Sequence, residues 1–319
     1  MFEATKINIQ QYINGEFYDA RIIRYQQNMF CYNKELGLFI NNQIDNQEKL
    51  LVLNWNVTGQ CLNLCTYCYG KDIRFMPGLS DQALVSLTRN LAILKPDLIV
   101  ISGGEPLLFP SLSFVINFFL NKNINLVLDT SGVIQLEILK PFLNQIHTRI
   151  SLDGVDDKIN ESTRISPIVN STNKVKDQII MLAKCQYPVT VQTTITDTNT
   201  EHLFELASFL TKCNVKNWRL SFVIPHSEKF EQKVKPIINS LINSFPLLNI
   251  RISNCNSESN DHVILIDPNG NIMIRNTNNN SKTLLGNLSD ASIDRHLILD
   301  SIDSYEHIRR YSLRKRNNS

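Results

Sequence analysis

The chain of 319 residues contains no apolar run near the roughly 18 residues that a membrane helix needs. Met1 to Gln10 carries charge and amides where a secretory signal would need an apolar stretch. An excess of charge is missing too: 32 Lys and Arg against 30 Asp and Glu leave +2, which excludes a surface built wholesale for nucleic acid. At 43% hydrophobic and 19% charged residues, the disordered and fibrous classes are excluded as well. Cysteine is scarce, and seven in a chain of this length cannot make the disulfide framework of a small secreted domain. His147, His202, His226, His262 and His296 show no metal-ligand spacing and read as structural or surface residues. These absences lead to the expectation of a soluble, cytoplasmic globular protein with no membrane or nucleic-acid partner.

What is present changes texture twice. Residues 1–50 hold short apolar patches separated by Asn-rich turns, which suggests a β-rich extension of two or three strands. From Leu51, strand and helix signals alternate six times. The expected strands are Leu51–Val57, Leu98–Ser102, Asn125–Asp129, Arg149–Leu152, Val189–Ile195 and Trp218–Ile224. Between them, helices are expected over Ser80–Leu94 (with Ser80 as N-cap), Phe114–Leu120, Leu136–Leu143, Val175–Ala183 and Glu201–Lys212. Repeats of this kind imply an α/β fold with a parallel sheet curved into a partial (β/α)6 barrel over residues 51–234. Residues 235–319 read as a small α+β cap. It comprises a helix over Lys235–Ser244, a strand over Ile250–Ser253, and a hairpin of Val263–Ile266 and Asn271–Ile274 around Asp267-Pro268-Asn269-Gly270. The basic tail, Arg309–Arg316, reads as a solvated, fraying end.

Three of the seven cysteines lie within eight residues, Cys61-Leu62-Asn63-Leu64-Cys65-Thr66-Tyr67-Cys68, directly after the first barrel strand. A structural zinc needs four ligands in paired spacings, and no second C-x2-C or H-x3-H exists in the chain. Three close thiolates suit a cubane with three protein-held irons, leaving the fourth open to another molecule. This loop resembles the signature of radical S-adenosylmethionine enzymes, including the aromatic Tyr67 before the last cysteine. Ser102-Gly103-Gly104-Glu105-Pro106 is similar to that family's GGEP motif. Ser151-Leu152-Asp153-Gly154, with Arg164 thirteen residues after Ser151, resembles its peptide-modifying branch. Each motif follows an expected strand, on the side where α/β barrels place their chemistry.

The resemblance implies one [4Fe–4S] cluster held by Cys61, Cys65 and Cys68, with S-adenosylmethionine chelating the open iron. It further implies that Gly103 and Gly104 let the backbone approach the methionyl group, and that Glu105 accepts a hydrogen bond from its amine. Ser102 and Ser151 would border the ligand, Arg164 would pair with its carboxylate, and Tyr67 would contact the adenine. Thr193 and Thr194 on the fifth strand read as strand filling rather than cavity lining.

The last hairpin resembles the SPASM or twitch extension of peptide-maturing relatives, but Met273-Ile274-Arg275 stands where a cysteine for an auxiliary cluster would be expected. The cap is therefore degenerate. Cys255 remains as a candidate catalytic thiol that returns a hydrogen atom to a substrate radical, while Cys31, Cys185 and Cys213 read as inert. The implied activity is radical modification of a ribosomally made peptide or protein side chain, with a one-electron reductant such as flavodoxin or ferredoxin as partner. Modification of a sugar or nucleoside is the rival enzymatic reading, and a non-catalytic Fe–S or zinc-binding partner protein is the rival of another class.

Overall fold

Central barrel strands such as Leu98–Ser102 are apolar runs buried on both faces of their sheet. The computed structural model describes residues 8–13, 16–25, 28–41, 50–76, 79–224, 226–253, 262–276, 281–290, 293–302 and 312–314, with side chains within 32–39 and 50–302. Ahead of the barrel, β1 (Asn8–Ile13), β2 (Glu16–Tyr25), β3 (Asn28–Asn33) and β4 (Leu38–Asn41) make an antiparallel meander. The main sheet opens with β5 (Val52–Asn56). A loop holding the two-residue β6 (Leu64–Cys65) and then α1 (Asp81–Ile93) lead to β7 (Leu98–Ser102). Next come α2 (Leu112–Asn121), β8 (Asn125–Thr130), β9 (His147–Ser151), α3 (Asp157–Thr163) and the short β10 (Arg164–Ile165). The alternation continues through α4 (Ser171–Lys184), β11 (Val189–Ile195), α5 (Leu203–Lys212), β12 (Asn217–Phe222), α6 (Glu228–Ser244) and β13 (Asn249–Ser253). Finally, β14 (His262–Ile266), β15 (Asn271–Asn276) and β16 (Lys282–Asn287) precede α7 (Arg295–Asp300) and β17 (Ser312–Arg314).

Ten strands form one open sheet in the order β13-β12-β11-β9-β8-β7-β5-β14-β15-β16, parallel from β13 to β14. Two faces follow from the strand period of two. Leu53, Trp55, Ile99, Ile101, Leu126 and Leu128 pack with Leu84, Leu87 and Leu91 of α1 and with Val115, Ile116 and Phe119 of α2. Val52, Leu98, Val100 and Val127 turn the other way and meet Tyr32, Phe39 and Leu50. The N-terminal meander thus plugs the inner face at the N-terminal ends of the strands, leaving the C-terminal ends for the site.

The six expected strands are all present, and Ser80 caps α1 by accepting from the Ala83 amide. Several features differ from expectation, beginning with the N-terminal extension, which has four strands where two or three were expected. A seventh parallel strand, β13, lies beside β12, and α6 is its crossover, so the helix spans the expected 234/235 boundary. It starts at Glu228 because Ser227 caps it, accepting from the Phe230 amide at 3.2 Å, and Pro236 is accommodated inside it. Leu136–Leu143 forms only a 3-10 turn over Leu136–Leu139 followed by further turns. Pro141 has no amide to continue the ladder, yet Leu136, Leu139 and Leu143 remain fully buried. The tail is not wholly free, since β17 pairs in parallel with β4.

The hairpin of β14 and β15 forms as expected, around a turn in which the Gly270 amide donates to the Asp267 carbonyl at 3.0 Å. The Asp267 carboxylate also accepts from the Asn269 and Asn271 amides. Rather than standing apart as a cap, the hairpin adds to the barrel sheet through β14 against β5. Among the described residues no helix is long and apolar enough to cross a membrane.

His147 joins the meander to the barrel. Its ring is fully buried, with Nδ1 2.8 Å from the Lys34 carbonyl and Nε2 2.9 Å from the Thr190 hydroxyl. Burial lowers its pKa from 6.5 to about 3. The unfolded chain therefore binds a proton between those values that the folded chain refuses. Stability should be unaffected by this group above pH 6.5 and fall as pH drops through that window, approaching about 1.4 kcal/mol per pH unit. Urea titrations at pH 7 and pH 5 should show this loss, and His147→Gln should flatten it.

Candidate active site

The C-terminal ends of the strands surround a cavity of about 290 Å³. Cys61, Cys65 and Cys68 all border it, as do Gly103, Gly104, Ser102, Ser151, Arg164 and Tyr67. Nine of the eleven residues singled out in the sequence therefore meet in one place. The exceptions are Glu105, which does not border the cavity, and Cys255, which lies outside the described residues.

The cysteine loop is shaped by its own chain before any ligand arrives. β6 pairs antiparallel with β10, placing Cys65 opposite Arg164, and the Thr66 amide donates to the Thr163 carbonyl at 2.9 Å. On its other side the loop is stitched to the end of β7. The Gly104 amide donates to the Thr58 carbonyl and the Glu105 amide to the Gln60 carbonyl, both at 2.7 Å. This close approach explains the glycines: a Cβ on Gly104 would lie 2.0 Å from the Gln60 carbonyl oxygen, and one on Gly103, at φ +139°, 2.5 Å from that of Thr58. The glycines thus serve the packing of the cysteine loop against the end of β7, and both also border the cavity.

Burial pushes the Cys61 thiol up to about 11 and raises that of Cys65, so loading with metal must displace protons. Among the described residues no three His, Cys, Asp or Glu side chains are grouped as the ligands of a single metal ion would be. Three thiols on one loop, each bordering the same cavity, suit a cubane instead, because each thiolate then binds a different iron and the sulfurs need not converge on a point.

Two buried carboxylates organise the walls. Glu105 is 1% exposed, and its oxygens accept from the Leu107 amide, the Thr130 hydroxyl and both the amide and hydroxyl of Ser131. Four donors fill the acceptor capacity of a carboxylate. Through them Glu105, expected as the acceptor of a ligand amine, ties the end of β7 to the end of β8.

Asp153 does the same on the opposite wall. It accepts from Arg164 Nε at 2.9 Å, the Thr163 hydroxyl at 3.2 Å, the Thr194 amide at 2.8 Å and the Tyr67 hydroxyl. Burial opposes the charge on Arg164, but Asp153 beside it outweighs that and raises its affinity for the proton. Arg164 also lies 5.5 Å from the centre of the Tyr67 ring, and burial pushes the Tyr67 phenol well above its usual range. Ser151 faces the cavity, and no hydrogen bond to its hydroxyl is formed among the described residues.

Several lining residues were not anticipated. Arg149 holds Asp129 through two nitrogens, and Gln192 links Asp129 to Arg219 across the floor. Tyr69, next to the last cysteine, sets its hydroxyl 3.2 Å from that of Ser102. Arg275 of β15 stands 4.3 Å from the centre of the Tyr69 ring. The signal available for the polar ones was a charged or amide side chain in the middle of an otherwise apolar or β-branched barrel strand. Thr193 and Thr194 both border the cavity. That corrects the expectation of strand filling rather than cavity lining, although the Thr193 hydroxyl is engaged internally, donating to the Leu152 carbonyl and accepting from Trp218 Nε1. Cys185 and Cys213 sit at the C-terminal ends of α4 and α5, away from the cavity lining.

Residues 55–210 match a family model described as the Radical SAM superfamily. The AdoMet-dependent heme synthase of Methanosarcina barkeri (strain Fusaro / DSM 804) is 22% identical over 180 residues, 54% of this chain and 51% of that protein. The Fe-coproporphyrin III synthase of the same organism is 30% identical over 114 residues, 34% of this chain and 29% of that protein. The chain thus spans about half the length, or less, of these curated relatives. Among solved structures, Streptococcus suis SuiB bound to S-adenosylmethionine gives a TM-score of 0.63 at 13% identity, over 85% of this chain and 69% of that one. SuiB bound to its precursor peptide SuiA gives 0.60 at 14%, over 70% and 59%. The enzyme anSMEcpe with bound AdoMet gives 0.60 at 17%, over 78% and 80%. At these identities the likeness is one of fold, a central parallel sheet left open.

The contact between the glycine pair and the cysteine loop can be tested by adding one methyl group. Gly104→Ala should push the loop away from β7, lowering retained iron several-fold and costing about 1–3 kcal/mol of stability. Gly70→Ala is the matched control, since its Cβ would meet only the Ile73 side chain at 3.4 Å and Cys68 Sγ at 3.9 Å. Iron content and urea midpoints of the two variants check both expectations.

Proposed function

Because residues 55–210 match the radical SAM superfamily, we propose that the chain is a radical SAM enzyme that uses S-adenosylmethionine and a [4Fe–4S] cluster to modify a peptide or protein side chain. The observation that carries the reading is the convergence of Cys61, Cys65 and Cys68 with Gly103, Gly104, Ser151 and Arg164 on one cavity. When bound, the cluster and S-adenosylmethionine supply a 5′-deoxyadenosyl radical that removes a hydrogen atom from substrate, with the electron drawn from a carrier such as flavodoxin or ferredoxin. The chain's part is to bind, orient and exclude water. The three thiolates hold the cluster. Arg164, fixed through Nε, keeps its remaining nitrogens for a ligand carboxylate, and Ser151 offers a hydroxyl. Backbone at Gly103–Gly104 would border the ligand, while the Glu105 side chain ties the ends of β7 and β8 beside it. Tyr67, held by Asp153, gives a fixed aromatic wall.

A peptide substrate is favoured by the fold shared with SuiB, which has been solved with its precursor peptide SuiA. A second reading, a small carboxylate-bearing molecule, is favoured by the names of the two Methanosarcina relatives and by Arg149, Arg219 and Arg275 around the cavity. A precursor peptide encoded beside the protein should change mass on turnover. Turnover of iron coproporphyrin III, a sugar or a nucleoside with no peptide present would decide for the second reading.

Anaerobically purified protein should contain about four irons per chain, following from one cubane, and should release 5′-deoxyadenosine on reduction with dithionite. Cys65→Ala should lose most of the iron and at least a hundredfold of that release while keeping its circular dichroism; a variant that retains both would overturn the cluster assignment. Cys255→Ala should keep its iron. If Cys255 returns the hydrogen atom, that variant should still form 5′-deoxyadenosine yet fail to complete the product. About eight irons per chain, or loss of half in the Cys255 variant, would reveal an auxiliary cluster.

A further inference from the structure

The hairpin position from which a ligand cysteine is missing has acquired a different contact with the cysteine loop. Tyr69, immediately after Cys68, is held by two central strands of the sheet and by its C-terminal edge. Its hydroxyl reaches Ser102 of β7 at 3.2 Å and Asn56 of β5 at 3.4 Å. Arg275 of β15 covers its ring with the guanidinium carbon 4.3 Å from the ring centre. Lys282 of β16 lies 3.4 Å from the Tyr69 carbonyl and pairs with Asp72 at 2.6 Å. These contacts join segments some 210 residues apart in the chain. β15 and β16 are antiparallel partners with Arg275 directly opposite Lys282, so the two cations act from one rung of one ladder.

We infer that β15 and β16 form a strap on the cysteine loop, in which Arg275 and Lys282 are positioning residues that hold Tyr69, and hence Cys68, in ligating shape. The inference rests on the proposed cluster for its consequence but not for its geometry. A guanidinium over a largely buried ring is a stronger contact than an exposed one, and its removal leaves Tyr69 held through its hydroxyl and through the Lys282 contact at its carbonyl. Arg275 also brings positive charge to the cavity wall beside Tyr69 and Cys68, where it favours the more negative, reduced form of a cluster. The extension thereby serves the first cluster electrostatically where the cysteine for a second is missing.

The full chain without cluster tests the geometry. Hydrogen exchange of the amides from Cys61 to Asp72 should quicken on the order of tenfold in Arg275→Gln and in Lys282→Ala, with exchange across β8 and β9 unchanged. Unchanged exchange in the loop of both variants would overturn the strap. The loaded protein tests the charge: Arg275→Gln should lose at least half of its iron on desalting, and its midpoint potential should move negative. Arg275→Lys should restore the potential. An Arg275→Gln protein with wild-type iron and potential, or a lysine variant as impaired as the glutamine one, would overturn the role given to Arg275. A wild-type chain that takes up no cluster would sink the proposed function, while the exchange comparison would still decide the strap.

Discussion

The site depends on one buried carboxylate. Asp153 gathers donors from the cysteine loop (Tyr67), from the end of α3 (Thr163), from β10 (Arg164) and from the backbone of β11 (Thr194). A group with no exposed side-chain surface must satisfy its acceptors within the protein, so each donor is obliged to stay where Asp153 needs it. Removing it would leave Arg164 buried and unpaired, at a cost of about 3–5 kcal/mol. Arg164 in turn stands opposite Cys65 in the short β6–β10 ladder, so the same carboxylate fixes one flank of the thiols.

Glu105 repeats the arrangement on the other flank, where Thr130 and Ser131 of the β8 end supply the donors. The two carboxylates are satisfied by donors within the cavity walls, and Ser151, Arg164 and the glycine backbone border the same cavity. Such walls suit radical chemistry, because a site shaped in advance orients substrate and excludes water without having to reorganise. The third flank is closed from the far end of the sheet by Arg275 on Tyr69 and Lys282 on Asp72. Barrel, cysteine loop and C-terminal strands are thus one structural unit around the cavity.

Most of the fold was legible locally. Leu98–Ser102, Asn125–Asp129 and Val189–Ile195 are apolar or β-branched runs whose strand character needs no distant partner to be seen. Ser80 before an apolar helical period announced α1 for the same reason. The Leu136–Leu143 expectation failed because hydrophobic spacing was weighed above Pro141, and the buried leucines are equally served by turns. β13 was read as part of a cap because membership of a sheet depends on what lies beside a strand, which periodicity does not encode.

The three cysteines could be read as one ligand set from their spacing, whereas the glycine pair, Ser151 and Arg164 joined them through the resemblance to radical S-adenosylmethionine enzymes. Which of them faces the cavity was decided by tertiary structure. Glu105 and Asp153 have the same chemical endowment as free ligand acceptors, and only the donors that folding brings from β8, α3, β10 and β11 commit them to bracing. The glycine requirement at 103 and 104 likewise arises from the Thr58–Gln60 backbone, a contact across more than 40 residues. Arg275 was visible in the sequence as a missing cysteine; its contact with Tyr69 exists only because β14 adds to β5 and carries β15 over the loop. Local chemistry names the residues that can act, and long-range packing assigns the acceptors and charges among them, because hydrogen bonds and desolvation depend on neighbours that the sequence places far away.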